Sequence, residues 1–285
     1  MSFLANATGA KSRFQRRHSV PVTVVVAALA LALIVLAAVF PTWWTGQSPL
    51  ETDAAAVLQP PSSAHFFGTD QSGRDVFSRV IHGARYSLFV GFGATVIALS
   101  LGVLIGVGAA LAPKVLAAGL SRAIDVLMAF PEFLLALLVI AIVGTGEASI
   151  PIAVALAALP AYARVARSET LVVVEAGYIR AARSLGVSPV AVLAKHVVPN
   201  ILGPLLVMAT IGVGTAIVTA AGLSFLGLGP QPPTPEWGII LSEGRNFLAT
   251  AWWIALFPGL AIVATVISVS TVGRYLRSVN EVRIS

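Results

Sequence analysis

Two acidic side chains stand inside an otherwise apolar run and are the first candidates for chemistry. Asp125 and Glu132 fall within a predicted membrane-spanning helix at about residues 121–144. An ionisable group inside a span is costly unless it faces the bundle interior or water, so such groups often line a pathway. An i,i+3 pair with Arg122 would account for Asp125 near the inner interface. Glu132 follows Pro131, about 15 Å into the span at about 1.5 Å per residue, and could bind a cation or pair with a partner subunit.

No arrangement of residues typical of an enzyme or a metal site occurs in the sequence. There are no cysteines, which excludes disulfides, thiolate metal sites and cysteine nucleophiles. No phosphate loop of the form G-x-x-x-x-G-K-[ST] occurs, so we expect no ATPase site in this chain. We predict no catalytic residue, no metal site and no bound cofactor. The four histidines are scattered without metal-ligand spacing: His18, His65, His82 and His196.

A second set of charged residues lies in a polar stretch at about residues 46–85. Asp75, Arg79 and His82 recur at three- and four-residue spacings, opposite apolar side chains. This pattern predicts a short amphipathic helix lying on the membrane surface, and we expect the individual charges to be solvated. A later stretch, residues 224–248, is rich in proline and glycine and predicts a rigid, irregular external loop.

A third polar stretch, residues 178–200, contains the signals for two short helices with a stop between them. Good helix formers precede Gly186, which stands where a residue in the left-handed conformation would end a helix. Ser188 and Pro189 are an N-cap residue and a proline at the first helical position, which predicts a second helix. We expect that helix to end near His196.

The first helix of this polar stretch has the composition of a docking element. Ala181 and Ala182 are small, so the backbone can approach a partner closely. Arg180 and Arg183 flank them and would keep their charges in water. This composition is less suited to a helix buried in a core.

Composition places the chain in a membrane. Of its 285 residues, 57% are hydrophobic and 11% charged, and the mean hydropathy is +0.91. The net charge of +6 does not indicate nucleic-acid binding, because the basic residues cluster at the ends of apolar runs. The first apolar run is too long for a signal peptide, and no cleavage site clearly follows it. We predict an all-α protein with spans at about residues 20–40, 86–112, 121–144, 150–165, 200–225 and 254–272.

The distribution of basic residues predicts the topology. With both termini in the cytoplasm, most of the 18 Lys and Arg residues lie inside, as the positive-inside rule requires. The 178–200 stretch is then cytoplasmic. The basic residues left outside are Arg74, Arg79, Arg85 and Arg245.

The 178–200 stretch resembles the signature loop of importer-type ABC transporter permeases. Two alanines, a glycine four positions after the second, and a closing proline stand in the family's positions at Ala181, Ala182, Gly186 and Pro199. The family's frequent glutamate before the alanines is Arg180 here, and His196 replaces a commoner aliphatic residue. What these departures mean is left open.

Two further stretches resemble the C-type subunit of dipeptide and oligopeptide permeases. One is the G-T-D-x-x-G-R-D run at residues 68–75, followed by S-R and G-A-R. The other, residues 224–248, has S-F-L-G-L-G, Q-P-P, W-G and E-G-R in order, and A-L-F-P-G-L-A-I follows. Near the end, the family's G-D-x-L-R-D departs at Arg274. The resemblance covers nearly all of residues 20–276.

The resemblance implies the type I ABC importer permease fold with six spans, in the plasma membrane of a prokaryote. It also implies a homologous second permease subunit forming a heterodimer, two ABC ATPase subunits that bind ATP and Mg, an external substrate-binding protein, and surrounding membrane lipid, but no nucleic acid. The implied parts are a cytoplasmic basic arm at 1–19, the first span and external segment at 20–85, the permease domain at 86–275 with its coupling loop at 175–200, and a cytoplasmic tail at 276–285.

The implied site residues form three groups. The ATPase-coupling loop contributes Tyr178, Arg180, Ala181, Ala182, Arg183, Leu185, Gly186, His196 and Pro199. The translocation path contributes Glu132 and Asp125, where Glu132 could meet the ammonium group of a peptide. The external-face motif contributes Asp70, Gly73, Arg74, Asp75, Trp237, Glu243 and Arg245.

Two alternatives stay open. A self-sufficient secondary transporter or channel would need inverted repeats, matching broken helices or a charged relay, and no such halves are visible. Within the family, relatives are implied to carry dipeptides, oligopeptides, nickel complexes or other small ligands. The sequence leaves the cargo undetermined between these classes.

Overall fold

The computed structural model describes residues 20–284, with side chains described through residue 279. The predicted basic arm at 1–19 lies outside these residues. The helices of the described part are α1 (Val22–Val39), α2 (Val76–Leu111), α3 (Lys114–Met128), α4 (Glu132–Val143), α5 (Ser149–Val174), α6 (Gly177–Ser184), α7 (Pro189–Val192), α8 (Val198–Phe225), α9 (Trp237–Gly244) and α10 (Trp253–Ile284).

Among the described residues, five helices are long and apolar enough to cross a membrane: α1, α2, α5, α10 and the continuous α7–α8 segment. The predicted first and fifth spans agree with α1 and α8 within two residues. The bent pair of α3 and α4 passes the same test together and would make a sixth span. The all-α, multi-span prediction is confirmed.

α2 lies at the centre of the bundle and packs against α1, α5 and α8. Its approach to α5 depends on two glycines. A Cβ atom on Gly102 would lie 2.5 Å from the Tyr162 Cβ, and one on Gly106 would lie 2.4 Å from the Ala163 carbonyl oxygen. Gly102 and Gly106, four residues apart on one face of α2, therefore form a close helix contact.

The predicted surface helix around Asp75 to His82 is wrong as a separate element. These residues form the first turns of α2, which runs without a break for 36 residues. The sequence between Val76 and Leu111 contains no proline, so nothing terminates the helix. The Asp75 carboxylate caps its N-terminus by accepting a hydrogen bond from the Ser78 N–H at 2.7 Å.

The predicted continuous third span is also wrong. α3 ends at Met128 and α4 begins at Glu132, with an angle of 100° between them. Pro131 causes the break because it lacks an N–H and disfavours helical geometry in the residue before it. Glu132 therefore lies at a helix N-terminus rather than in the middle of a span.

Three other boundaries differ from the prediction. α5 continues past the predicted end at 165 to Val174. The external stretch 224–248 is not an irregular loop throughout: it contains α9, whose first residue Trp237 is only 1% exposed, so this helix packs into the core. α10 continues to Ile284 and includes most of the predicted tail.

Candidate functional site

The polar stretch after α5 forms a short helix with a defined stop. α6 runs from Gly177 to Ser184, and Gly186 has a φ of +81°. The Gly186 N–H donates to the Arg183 carbonyl at 3.0 Å and the Val187 N–H to the Ala182 carbonyl at 3.1 Å. These bonds satisfy carbonyls that the end of the helix would otherwise leave unpaired. The predicted glycine stop is confirmed.

The second half of this stretch departs from the prediction. The Ser188 hydroxyl accepts a hydrogen bond from the Ala191 N–H at 3.3 Å, and Pro189 begins α7, both as predicted. The helix does not end near His196. It passes through a π-helical turn at Leu193–Val197 directly into α8, where Pro199 lies in the first turn. Pro199 has no N–H to donate, and it follows directly on the π-helical turn, where the regular i to i−4 hydrogen-bond pattern is already interrupted.

The loop presents apolar and basic side chains to the outside while a few residues anchor it. Ile179 is buried in the cluster formed by α2, α4, α5 and α8, together with two valines of the following turns. Leu185 is 84% exposed, Val190 76% and Tyr178 50%. Large exposed apolar side chains on a polar loop indicate a surface that another protein covers. We name this the docking surface; its residues are Tyr178, Arg180, Ala181, Arg183, Leu185 and Val190, all exposed.

His196 lies behind the docking surface rather than on it. It is half-buried, and its ring meets that of Tyr178 edge-on, with 6.2 Å between centroids. Ala182 is also half-buried. Both residues therefore support the shape of the loop from within.

The external motif residues form a buried network of charges, which corrects the expectation that they are solvated. Asp70 and Arg79 are 0% exposed and Arg74 is nearly so. The Asp70 Oδ2 atom lies 2.7 Å from both Arg74 Nε and Arg79 Nη1. Glu243 of α9 completes the network at 3.0 Å from Arg74 Nη2 and 2.7 Å from Arg79 Nη1.

This network, Asp70, Arg74, Arg79 and Glu243, has two positive and two negative charges and so balances itself. It joins the external segment to the first turns of α2 and to α9. A buried charge without its partners is strongly unfavourable, so the three elements are held in one arrangement. Sequence reasoning placed Arg79 on a surface helix and missed its role, since its acidic partners lie 9 and 164 positions away.

Gly73 and Asp75 shape the turn that leads into this network. Gly73 has a φ of +72°, and a Cβ atom there would lie 1.8 Å from the Asp53 carbonyl oxygen, so only glycine fits. Asp75 contacts His65, with 3.0 Å between Oδ2 and Nδ1, in addition to capping α2. Both residues have a structural explanation.

The remaining external residues hold α9 in place. The Trp237 indole N–H donates to the Val80 carbonyl at 2.9 Å, and the Arg245 guanidinium lies 5.7 Å from the centre of the Phe225 ring. Glu236, which sequence reasoning missed, is buried and accepts hydrogen bonds from the N–H groups of Gly238 and Ile239, both at 2.9 Å. Burial raises the pKa of the Glu236 carboxyl, although these hydrogen bonds oppose that rise.

The two acids of the predicted third span have different surroundings. Asp125 pairs with Arg164 of α5, not with Arg122, and both side chains of this pair are half exposed. The bend between α3 and α4 turned α3 toward α5, which local spacing could not predict.

Glu132 lines a cavity of about 200 Å³ between α2, α4, α5 and α8. Tyr162 forms part of its wall, is buried, and has a hydroxyl with no hydrogen-bond partner among the described residues. A Cβ atom on Gly212 would lie 2.1 Å from that hydroxyl, so glycine leaves the space that the hydroxyl occupies. Tyr162 carried no signal in the sequence, because a tyrosine in an apolar helix is usually a packing residue.

Comparison with known proteins agrees with this architecture. Residues 98–285 match the family described as binding-protein-dependent transport system inner membrane component. The chain is 40% identical over 253 residues to the dipeptide transport system permease protein of Alkalihalophilus pseudofirmus, covering 89% of this chain and 83% of that protein. It is 40% identical over 268 residues to a glutathione transport system permease protein of Escherichia coli, covering 93% and 86%.

Among solved structures, the chain is similar to one from the MetNI methionine ABC transporter in an inward-facing conformation. The TM-score is 0.57, the identity is 21%, and the match covers 70% of this chain and 96% of that one. At this identity the likeness concerns the fold. The bundle around α2, α5 and α8 is thus a permease fold.

Proposed function

We propose, since the chain belongs to the family of binding-protein-dependent transport system inner membrane components, that it is the permease subunit of an ATP-driven importer of peptides. It is a multi-pass protein of the prokaryotic inner membrane and is the membrane component of its transporter, not the ATPase. The observation that carries the peptide assignment is 40% identity, over most of both chains, to permeases named for dipeptide and glutathione transport.

The docking surface couples this subunit to its ATPase. α6 stands between two long spans and is anchored by the buried Ile179. Its exposed arginines are followed by the exposed Leu185 and by Val190 of α7. An ATPase that takes up these apolar side chains would transmit its closure on ATP to α5 and α8 as rigid bodies. ATP and Mg²⁺ bind to the ATPase subunits and not to this chain.

The Asp125–Arg164 pair and Glu132 both line the translocation path. A half-exposed ion pair in a membrane segment is costly against lipid, so protein or water covers this pair. A second permease subunit of the same fold, paired as a heterodimer, would cover it and enclose a passage. Glu132, which lines its cavity, then meets the ammonium group of the peptide.

The external surface faces a substrate-binding protein that delivers the cargo. The buried network of charges makes the external segment, α2 and α9 one rigid body, which suits a surface that must receive another protein in a fixed orientation. Two ATPase subunits would dock below the permease pair, one on each coupling loop.

The experiment that tests this function is purification of the chain from its own membranes in mild detergent, followed by identification of the proteins that accompany it. We expect a second permease and ATPase subunits, and ATP-dependent peptide uptake after reconstitution with the binding protein. Recovery of the chain alone, with uptake that needs no ATP, would instead favour a secondary transporter. Uptake of a nickel complex but of no peptide would change the cargo and keep the importer.

A matched pair of variants tests the docking surface in the same preparation. Leu185→Asp places a charge on a side chain that is almost fully exposed, so the chain should still fold but lose its ATPase subunits. Phe66→Asp makes the same kind of change at an exposed external position and should retain them. Equal retention of the ATPase by both variants would reject the docking surface.

A further inference from the structure

A long apolar groove runs along the outer surface between α1 and α2. It has a volume of about 690 Å³ and is open to the outside of the bundle. Its walls are exposed aromatic and aliphatic side chains, with Phe89 as much as 68% exposed. The residues that line it are Val35, Ala38, Val39, Arg85, Leu88, Phe89, Phe92, Gly93, Val96 and Ile97.

Gly93 leaves the middle of the groove open. A Cβ atom built on Gly93 meets no other atom within 4 Å, whereas one on Gly91 would lie 2.4 Å from the side chain of Ile217. Gly91 is thus required by packing, and Gly93 is not. The absence of a side chain at position 93 preserves empty space on an apolar surface.

The length of the groove corresponds to one leaflet of a bilayer. Arg85 and Ile97 mark its two ends on α2, and twelve residues at about 1.5 Å each span about 18 Å. The hydrocarbon core of a bilayer is about 30 Å thick, so one leaflet contributes about 15 Å. The groove can therefore hold an acyl chain along its length.

Arg85 lies at the headgroup level of the outer leaflet. It lines the groove beside Val39, the last residue of α1, and Trp43 and Trp44 follow α1 directly. Trp side chains favour the membrane interface. The neighbouring Tyr86 hydroxyl donates to the Glu147 carbonyl at 2.9 Å, in the turn that joins α4 to α5 on the same side.

Arg85 also lacks a protein partner. Its side chain is exposed, and among the described residues it makes no hydrogen bond, ion pair or ring contact. The other external arginines, Arg74, Arg79 and Arg245, are all engaged. An unpaired guanidinium at the mouth of an apolar groove is complementary to a phosphate with a hydrocarbon tail.

The geometry points to a bound glycerophospholipid of the outer leaflet, with its phosphate on Arg85 and one acyl chain in the groove past Gly93. A second apolar cavity of about 300 Å³, between α1, α2, α8 and α10, shares Phe92 and Val96 with the groove and gives room for the chain end. α1 has few buried residues, so it makes little contact with the rest of the bundle. The lipid would fill the space between α1 and α2 and so stabilise the packing of α1. This inference depends on the membrane location and not on the cargo.

The test uses the assembled complex in vesicles of phosphatidylethanolamine and phosphatidylglycerol. A small fraction of phosphatidylglycerol carries a photoactivatable group in its acyl chain, and the labelled peptides are mapped after irradiation. We expect label concentrated in residues 85–97 and on α1. Arg85→Gln should lower it about tenfold, since the variant loses a charged hydrogen bond. Lys114→Gln, which removes an exposed cation at the other end of the membrane segment, should leave it unchanged.

A second pair of variants tests the groove by filling it. Gly93→Leu should abolish the focused label, while Gly108→Leu, at another glycine of α2 with open space around its Cβ position, should not. Label spread evenly over the lipid-facing helices would overturn the inference. So would loss of the second permease from the Gly93→Leu complex, because the groove would then be a subunit contact.

Discussion

At the scale of single residues, the buried external charges hold the external segment, the start of α2 and α9 together. Asp70, Arg74, Arg79 and Glu243 are removed from water, and each contacts at least two oppositely charged atoms or backbone donors. Such a network adds little stability over an apolar core of equal volume, but removing one member leaves the others uncompensated. It specifies one arrangement of the external segment.

Asp70→Asn should destabilise the folded chain by about 3–5 kcal/mol, because it leaves two buried arginines with one carboxylate. Thermal unfolding of the purified complex measures this effect. It is monitored as the loss of the monodisperse peak in size-exclusion chromatography. Asp53→Asn is the control, since Asp53 caps only a short exposed turn, and it should cost about 1 kcal/mol or less. Equal effects of the two changes would contradict a network that holds the fold.

Glu236 gives a prediction for pH. Its pKa is raised in the folded chain, so the folded state binds the proton more tightly than the unfolded state. Its contribution to the free energy of unfolding is therefore greatest below the ordinary carboxyl pKa. That contribution declines as the pH rises toward the raised value, and is constant above it.

Unfolding temperatures measured across this range test the prediction. Glu236→Gln mimics the protonated group and should remove this part of the pH dependence. An unchanged pH profile in the variant would contradict the raised pKa. Glu51→Gln, at an exposed external acid, is the control.

Glu132 gives a prediction for transport. Glu132→Gln should reduce uptake of a peptide with a free N-terminus about tenfold, through the loss of one charged hydrogen bond. The initial rate of uptake in proteoliposomes measures this, with assembly and basal ATP hydrolysis checked in the same sample. Uptake at the original rate would show that Glu132 does not contact the peptide. An equal decrease in the uptake of an N-acetylated peptide would assign Glu132 a structural role.

At the scale of elements, the loop at residues 175–200, which we propose couples to the ATPase, combines a helix stop with an exposed surface. Gly186 ends α6 with a left-handed residue, and Ser188 starts the next helix two residues later. The π-helical turn then joins that helix to α8 without a hinge. Movement of α7, which carries Val190 of the docking surface, would therefore be passed on to α8.

Gly186→Pro should uncouple ATP hydrolysis from uptake while leaving every span in place. Proline holds φ near −65°, far from the +81° at this position, and removes the N–H that bonds to the Arg183 carbonyl. Uptake per ATP hydrolysed in the reconstituted complex measures the effect. Gly177→Ala is the matched control, since a Cβ there meets open space and alanine favours the helix. Normal coupling in Gly186→Pro would reject the loop as the coupling element.

At the scale of the whole molecule, this chain is one part of a larger transporter. Among the described residues, the docking surface and the half-exposed Asp125–Arg164 pair are the two features that we propose partner proteins cover. α2 contacts α1, α5, α8, α9 and α10. A displacement of the cytoplasmic loop can therefore be transmitted to the external side through a few packed helices.

The sequence by itself determined the class of the protein and its local signals. Long apolar runs identified most of the spans, and Gly186, Ser188 and Pro189 correctly predicted where α6 stops and α7 begins, because hydropathy and capping depend on neighbouring residues. The motif at residues 68–75 was recognisable as a pattern, although its burial was not. These features require no knowledge of distant parts of the chain.

Only the tertiary structure decided which charges are paired and where they lie. Asp125 pairs with Arg164 and not with the nearby Arg122, because the break at Pro131 changes the direction of α3. Arg79 is buried because Glu243 of α9 approaches it and supplies an opposite charge. The groove that ends at Arg85 likewise exists only between two helices. Such contacts depend on the angle and depth at which helices pack, and that geometry is set by the sum of many side chains far apart in sequence.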